Sequence, residues 1–141
     1  MLGLDYGSKT VGVAVSDPLG LTAQGLEIVR RVNEDDVKKS LDRLAEIIEE
    51  YEVTKIVLGF PKNMNNTQGE RCEKTLVFKA RLEKKFKNMP VALWDERLST
   101  MGADRALETL SKKKRDGVID KMAAVFILQG YLDSGAEKKE V

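Results

Sequence analysis

Three carboxylates stand where packing alone does not account for a charge. Asp5 interrupts the apolar opening Leu2-Gly3-Leu4, and a charge in such a strand is costly unless it is paired, hydrogen-bonded or bound to a metal. Glu96 follows the apolar run Val91-Ala92-Leu93-Trp94 and Asp95, at the end of a strand where open α/β sheets usually place ligands. Asp120 opens the stripe Asp120, Ala123, Ala124, Ile127, Leu128, Tyr131, whose steps of three and four follow one helical face. The paired alanines one turn later let that helix lie close to a sheet with its carboxylate directed inward. Hard cations prefer oxygen ligands, so the three acids form a candidate Mg²⁺ or Mn²⁺ site. Two such ions about 3.5–4 Å apart can activate a water and stabilise the departing oxygen in phosphodiester cleavage. That chemistry requires no histidine, and the chain has none.

Each acid also has a plainer reading. Asp5 could cap the turn that follows it. Asp95 and Glu96 should point to opposite faces of the sheet because strand side chains alternate, and either could pair with Arg97 or cap a turn. Spacing does not choose between them. Asp120 could be an ordinary acid near a helix start, stabilised by the helix dipole.

Composition narrows the field. The absence of histidine excludes Ser-His-Asp and Cys-His nucleophilic sites and imidazole acid-base catalysis. The lone Cys72 cannot form an internal bridge, and a nearly thiol-free chain suits a reducing cytoplasm. At 141 residues the expectation is one domain spanning 1–141 with a single core. The longest apolar stretch, Met122 to Leu128, is far below the roughly 20 residues of a membrane span. No signal-type segment opens the chain, so a cytoplasmic protein that makes no membrane contact is expected.

The positioning elements follow from periodicity. Leu2 to Tyr6, Val11 to Ser16 and Gly25 to Val32 read as three strands, the first two joined by Gly7-Ser8-Lys9-Thr10 as a hairpin and the third extending a meander. Val37, Leu41, Leu44, Ile48 and Tyr51 mark one stripe of a helix with Asn33 as its N-cap. Lys55 to Phe60 is a buried strand reached by a parallel crossover, and Phe60 to Gly69 is a loop long enough to carry function. Phe78, Leu82 and Phe86 lie on a basic helix, and Pro90 to Trp94 forms another strand. Met101 to Leu110 can form a helix, Ser111 to Asp116 reads as a charged linker, and Ile119 to Leu132 as the last amphipathic helix. The order β-β-β-α-β-α-β-α-α predicts an α/β fold in which a five-stranded mixed sheet is flanked by helices, a ribonuclease H-like architecture.

The net charge of +1 conceals segregation along the chain. Glu70 to Lys87 holds seven bases against three acids, whereas Glu27 to Glu52 holds nine acids against five bases. The block Lys112-Lys113-Lys114-Arg115 lies just before Asp120 and could hold a phosphate backbone near the acids. Few aromatics are free to stack on bases, so base-specific reading is not expected.

Four ordered segments carry a family resemblance: LGLDYGSKTVGVAVSD from Leu2 to Asp17, VLGFPKNM from Val57 to Met64, WDERLST from Trp94 to Thr100, and IDKMAAVFILQGYL from Ile119 to Leu132. Together they resemble the YqgF/RuvX family of pre-16S ribosomal RNA nucleases, also described as Holliday junction resolvase-like, over nearly the whole chain. The resemblance implies a ribonuclease H-like fold and a metal-dependent nuclease that matures the 5′ end of 16S ribosomal RNA in the cytoplasm. It implies that Asp5, Glu96 and Asp120 are the catalytic, metal-holding acids, with two ions of Mg²⁺ or Mn²⁺. Arg97 and Thr100 match the second acidic motif and are expected to support substrate or metal. Lys9 matches a family basic position, and with Lys113, Lys114 and Arg115 completes the expected substrate contacts. The chain departs from the family at Lys9-Thr10, where Lys-Arg is common, and at Asn65-Asn66, where Asp-Gly often follows the loop methionine. The expected partner is nucleic acid, pre-16S ribosomal RNA first and branched DNA as the alternative, met by a monomer or weak homodimer. A nuclease-like domain that binds without cutting is a further alternative.

Overall fold

The computed structural model describes residues 1–7, 9–30, 37–60, 70–95 and 112–134, with the side chains of 70–71 and 112–121 outside the description. Eight elements run in the order β1 (Leu2–Tyr6), β2 (Thr10–Ser16), β3 (Ala23–Arg30), α1 (Val37–Glu50), β4 (Ile56–Phe60), α2 (Glu70–Lys85), β5 (Val91–Asp95) and α3 (Lys112–Ser134). The five strands make one mixed sheet in the order β3-β2-β1-β4-β5. The β1–β2 and β2–β3 pairs are antiparallel, whereas β4 is parallel to both β1 and β5. The expected hairpin, meander, crossover and mixed sheet are therefore all present.

Period-two alternation sends each strand's side chains to two separate cores. Leu2, Leu4 and Tyr6 of β1 pack with Val11, Val13, Ile56 and Leu58 under Leu41, Leu44 and Ile47 of α1 and Phe78 and Leu82 of α2. The Tyr6 and Phe78 rings stack with centroids 4.3 Å apart. On the opposite face Ala14, Val57, Ala92 and Trp94 pack under Ala124, Ile127, Leu128 and Tyr131 of α3. Helices thus cover both faces.

α1 ends in a Schellman arrangement: Val53 N–H donates to Ile48 O at 3.0 Å, Glu52 N–H donates to Glu49 O, and Glu52 takes a left-handed φ of 52°. Tyr51, expected on the buried stripe, falls after the last helical residue and is exposed. The Asn33 cap, the Pro61–Gly69 part of the loop and the Met101–Leu110 helix lie outside the described residues. The expected linker at Ser111 to Asp116 is corrected, since α3 begins at Lys112 and runs 23 residues. Lysine and arginine are good helix formers, so a charged run without apolar periodicity can still propagate a helix. Among the described residues no helix is long and apolar enough to cross a membrane.

The β2–β3 turn is held by Asp17, whose carboxylate accepts from Leu21 N at 2.7 Å and Thr22 N at 3.1 Å. These backbone donors, Thr22 foremost, keep the Asp17 pKa below its ordinary 3.8. A depressed carboxylate contributes stability above its unfolded pKa and loses it as pH falls through the folded value. The gap in melting temperature between wild type and Asp17→Ala should therefore be full at about pH 6 and narrow as pH falls below the ordinary carboxylate range, about pH 4; a gap that stays constant on acidification would remove this role.

Candidate active site

Asp5 is the penultimate residue of β1, and its face follows from its neighbours. Leu4 and Tyr6 belong to the core under α1 and α2, while a Cβ on Gly3 would meet Leu128 of α3. Asp5 therefore shares the α3 face. It is part-buried, and its carboxylate has no hydrogen-bond or ion-pair partner among the described residues. The plain reading of Asp5 as a turn cap fails, because that turn closes through Gly7 N–H donating to Thr10 O at 2.7 Å.

Glycines flank Asp5. Gly12 of β2 is its register partner, and continuing the β1–β4 register past Leu4 and Leu58 brings Gly59 level on the other side. Both glycines are buried. Sequence reasoning passed over them, although glycine inside a strand is a signal of close approach by a ligand or a backbone.

The register also separates the two adjacent acids. Val91 packs towards α1 and α2, whereas Ala92 and Trp94 pack towards α3, so alternation places Asp95 on the face away from Asp5. Asp95 ends β5 opposite Phe60 of β4, at the end of the sheet where β1 also ends. Glu96, the next residue, lies outside the described residues, as do Arg97 and Thr100.

α3 carries the Asp120 position to this end. Tyr131 lies at the start of β4, where Lys55 Nζ donates to its hydroxyl and sits 4.9 Å from the ring centroid. The Trp94 ring meets Tyr131 edge-on at 6.1 Å between centroids. Gln129 fastens the same helix to the hairpin, accepting from Ala23 N at 2.8 Å and donating to Leu21 O at 3.1 Å. Further back along the helix Leu128 and Ala124 lie against Gly3. α3 thus runs opposite to β1, and four residues before Ala124, about 6 Å along the axis, comes Asp120. Its side chain lies outside the description, as do those of Lys113, Lys114 and Arg115 in the first turns of α3. Lys9 is exposed in the β1–β2 turn beside the Asp5 end of the sheet.

Among the described residues no group of three acidic, cysteine or histidine side chains forms a cation site. A described donor that suits a divalent ion is Asp5: an anionic oxygen ligand, part-buried, between side-chain-free neighbours and with no ion pair among the described residues.

Comparison with known proteins places these features in context. The profile of a family described as "RuvX: Holliday junction resolvase" matches residues 1–134. A protein of Desulforamulus reducens named "Putative pre-16S rRNA nuclease" is 55% identical over 139 residues, covering 97% of this chain and 98% of its own. Proteins of the same name from a Geobacillus species and Bacillus subtilis are 60% and 56% identical over 136 residues, each match covering 95% of this chain and 97% of theirs. Among solved structures, RuvC of T. thermophilus in complex with a Holliday junction substrate superposes with a TM-score of 0.57 at 14% identity, covering 97% of this chain and 94% of that one. The yeast mitochondrial Holliday junction resolvase gives a TM-score of 0.52 at 12% identity, covering 99% and 80%. These distant likenesses establish a shared fold, the ribonuclease H-like sheet with helices on both faces.

Proposed function

The chain belongs to the RuvX family, and from that premise we infer that it is a nuclease, a hydrolase of phosphodiester bonds, whose substrate is the 5′ end of pre-16S ribosomal RNA. The observation that carries the reading is the part-buried Asp5 near the C-terminal end of the central strand, whose carboxylate has no partner among the described residues. An acid placed in a core strand without a structural partner is a candidate ligand for a cation or substrate. The names of the relatives supply the substrate.

In this reading residues 1–141 form one catalytic domain working in the cytoplasm as a monomer or weak homodimer. Asp5, Glu96 and Asp120 would hold Mg²⁺ or Mn²⁺, as a pair of ions. The bound metal supplies Lewis acidity, activating water and offsetting charge on the phosphodiester. Asp5 contributes a fixed anionic oxygen from a strand that packing on both faces holds still. Gly12 and Gly59 leave room beside it for a phosphate. Lys9, Arg97, Thr100, Lys113, Lys114 and Arg115 would bind the backbone of the substrate, so affinity should fall steeply with salt.

Purified protein should cut a 5′-extended 16S precursor when Mg²⁺ or Mn²⁺ is supplied and stop when the metal is chelated. A four-way DNA junction, incubated with the same preparation, tests the alternative substrate. Cutting of the junction alone would move the assignment to branched DNA, and cutting of neither would leave a domain that only binds.

A further inference from the structure

A cation that no motif marks shares the face of Asp5. In the β2–β3 ladder Thr10 pairs with Arg30, Val11 with Val29 and Gly12 with Ile28, and the register shifts between Val13 and Ala14. Val11, Val13 and Val29 lie in the core under α1 and α2, and Glu27, opposite Val13, receives Arg43 of α1 at 2.5 Å. Alternation therefore assigns Thr10 and Arg30 to the other face, with Gly3 and Asp5. Because β1 and β3 are each antiparallel to β2, Arg30 ends β3 at the same end of the sheet as Asp5. Two strand spacings across and two residues along separate the two backbones by about 12 Å.

The surroundings leave this arginine available. Arg43 is held by both Glu27 and Glu46, whereas Arg30 is exposed and has no ion pair or hydrogen bond among the described residues. Gln129 fastens α3 at the Ala23 end of β3, the end away from Arg30. Lys9, also exposed and without such a partner, stands in the turn between β1 and β2.

We propose that Arg30 is a phosphate-binding residue, which with Lys9 holds the nucleic-acid backbone running from Asp5 across the ends of β1, β2 and β3. The proposal rests on the nuclease reading and deepens it by giving the substrate a direction. A guanidinium presents a fixed fork of donors that matches a phosphate. Such a contact sets register on the substrate and adds to affinity without reading bases.

The test uses Asp5→Asn protein, so that the probes stay whole, and follows binding of a labelled precursor-RNA fragment and a labelled four-way DNA junction against salt. Adding Arg30→Gln should weaken binding about fivefold at 0.1 M salt and lower the slope of log K against log salt by about one. Arg30→Lys should restore most of the affinity, and neither change should move the melting temperature. Arg81→Gln, which removes the same charge from an exposed position on α2, should leave affinity and slope alone. Unchanged affinity and slope for Arg30→Gln would overturn the inference by itself. Failure of the Asp5→Asn protein to bind either probe would overturn it together with the reading on which it rests.

Discussion

Asp5→Asn is expected to lower metal-dependent cleavage by a factor on the order of 10³ or more, about 4 kcal/mol of transition-state stabilisation, while leaving the protein at least as stable as wild type. The two halves of this expectation come from one observation. Asp5 is part-buried and its carboxylate has no partner among the described residues, so replacing the charge breaks no described interaction. Asparagine keeps the shape and removes the charge. If Asp5 were a structural acid, its loss would strand a donor and lower the melting temperature. If it holds a hard cation, losing an anionic oxygen weakens the metal and the reaction, and the metal-free fold keeps its stability. Melting curves in EDTA, calorimetric titration with Mn²⁺ and cleavage of the precursor separate the two. A large drop in melting temperature without metal, with Mn²⁺ binding intact, would return Asp5 to a structural role.

What the sequence discloses about this site divides along a physical line. Apolar alternation and 3.6-residue periodicity report burial, and burial locates Asp5 in β1, Asp95 at the end of β5 and Ala124 on the inner side of α3 before any coordinates are drawn. Pairing between strands distant in sequence leaves no such trace. The choice between Asp95 and Glu96 stays open from spacing and narrows once the packing of Trp94 and Val91 fixes the phase of β5. Arg30 is a harder case. In simple alternation it falls in phase with Leu26 and Ile28, yet the irregularity beside Val13 and Ala14 puts Leu26 towards the core of α1 and α2 and Arg30 towards Asp5. A bulge reverses every later side chain, and its position is not encoded in residue type strongly enough to be read. The start of α3 is hidden in the sequence for the opposite reason. Lys112 to Asp116 has no apolar period to follow, so only helix propensity spoke for it.

Gly3→Ala is expected to damage activity more than stability, and the reason lies in how close α3 approaches the sheet. A Cβ at position 3 would lie 2.7 Å from Leu128 Cβ and 3.0 Å from the carbonyl oxygen of Ala124. Neither atom is the end of a flexible side chain, so the helix itself must shift. Overpacking of this kind costs about 1–3 kcal/mol. The helix is also fastened at its far end, by Gln129 to the hairpin and by Tyr131 to Lys55 and Trp94. A push at Gly3 then acts towards the other end of the helix, the half that leads to Asp120. The separation between the Asp5 and Asp120 positions should grow by a fraction of an ångström to an ångström, and misplacement of about 1 Å can cost on the order of 100-fold in rate. Leu82→Ala provides the control. Leu82, on α2, is fully buried in the other core, and its truncation should cost about 2–5 kcal/mol without touching α3. Under conditions where circular dichroism shows both variants fully folded, Leu82→Ala should retain near wild-type cleavage and Gly3→Ala should lose it by tenfold or more. Equal activities would mean that α3 absorbs the extra methyl group without moving the Asp120 position, and that the missing side chain at residue 3 serves packing alone.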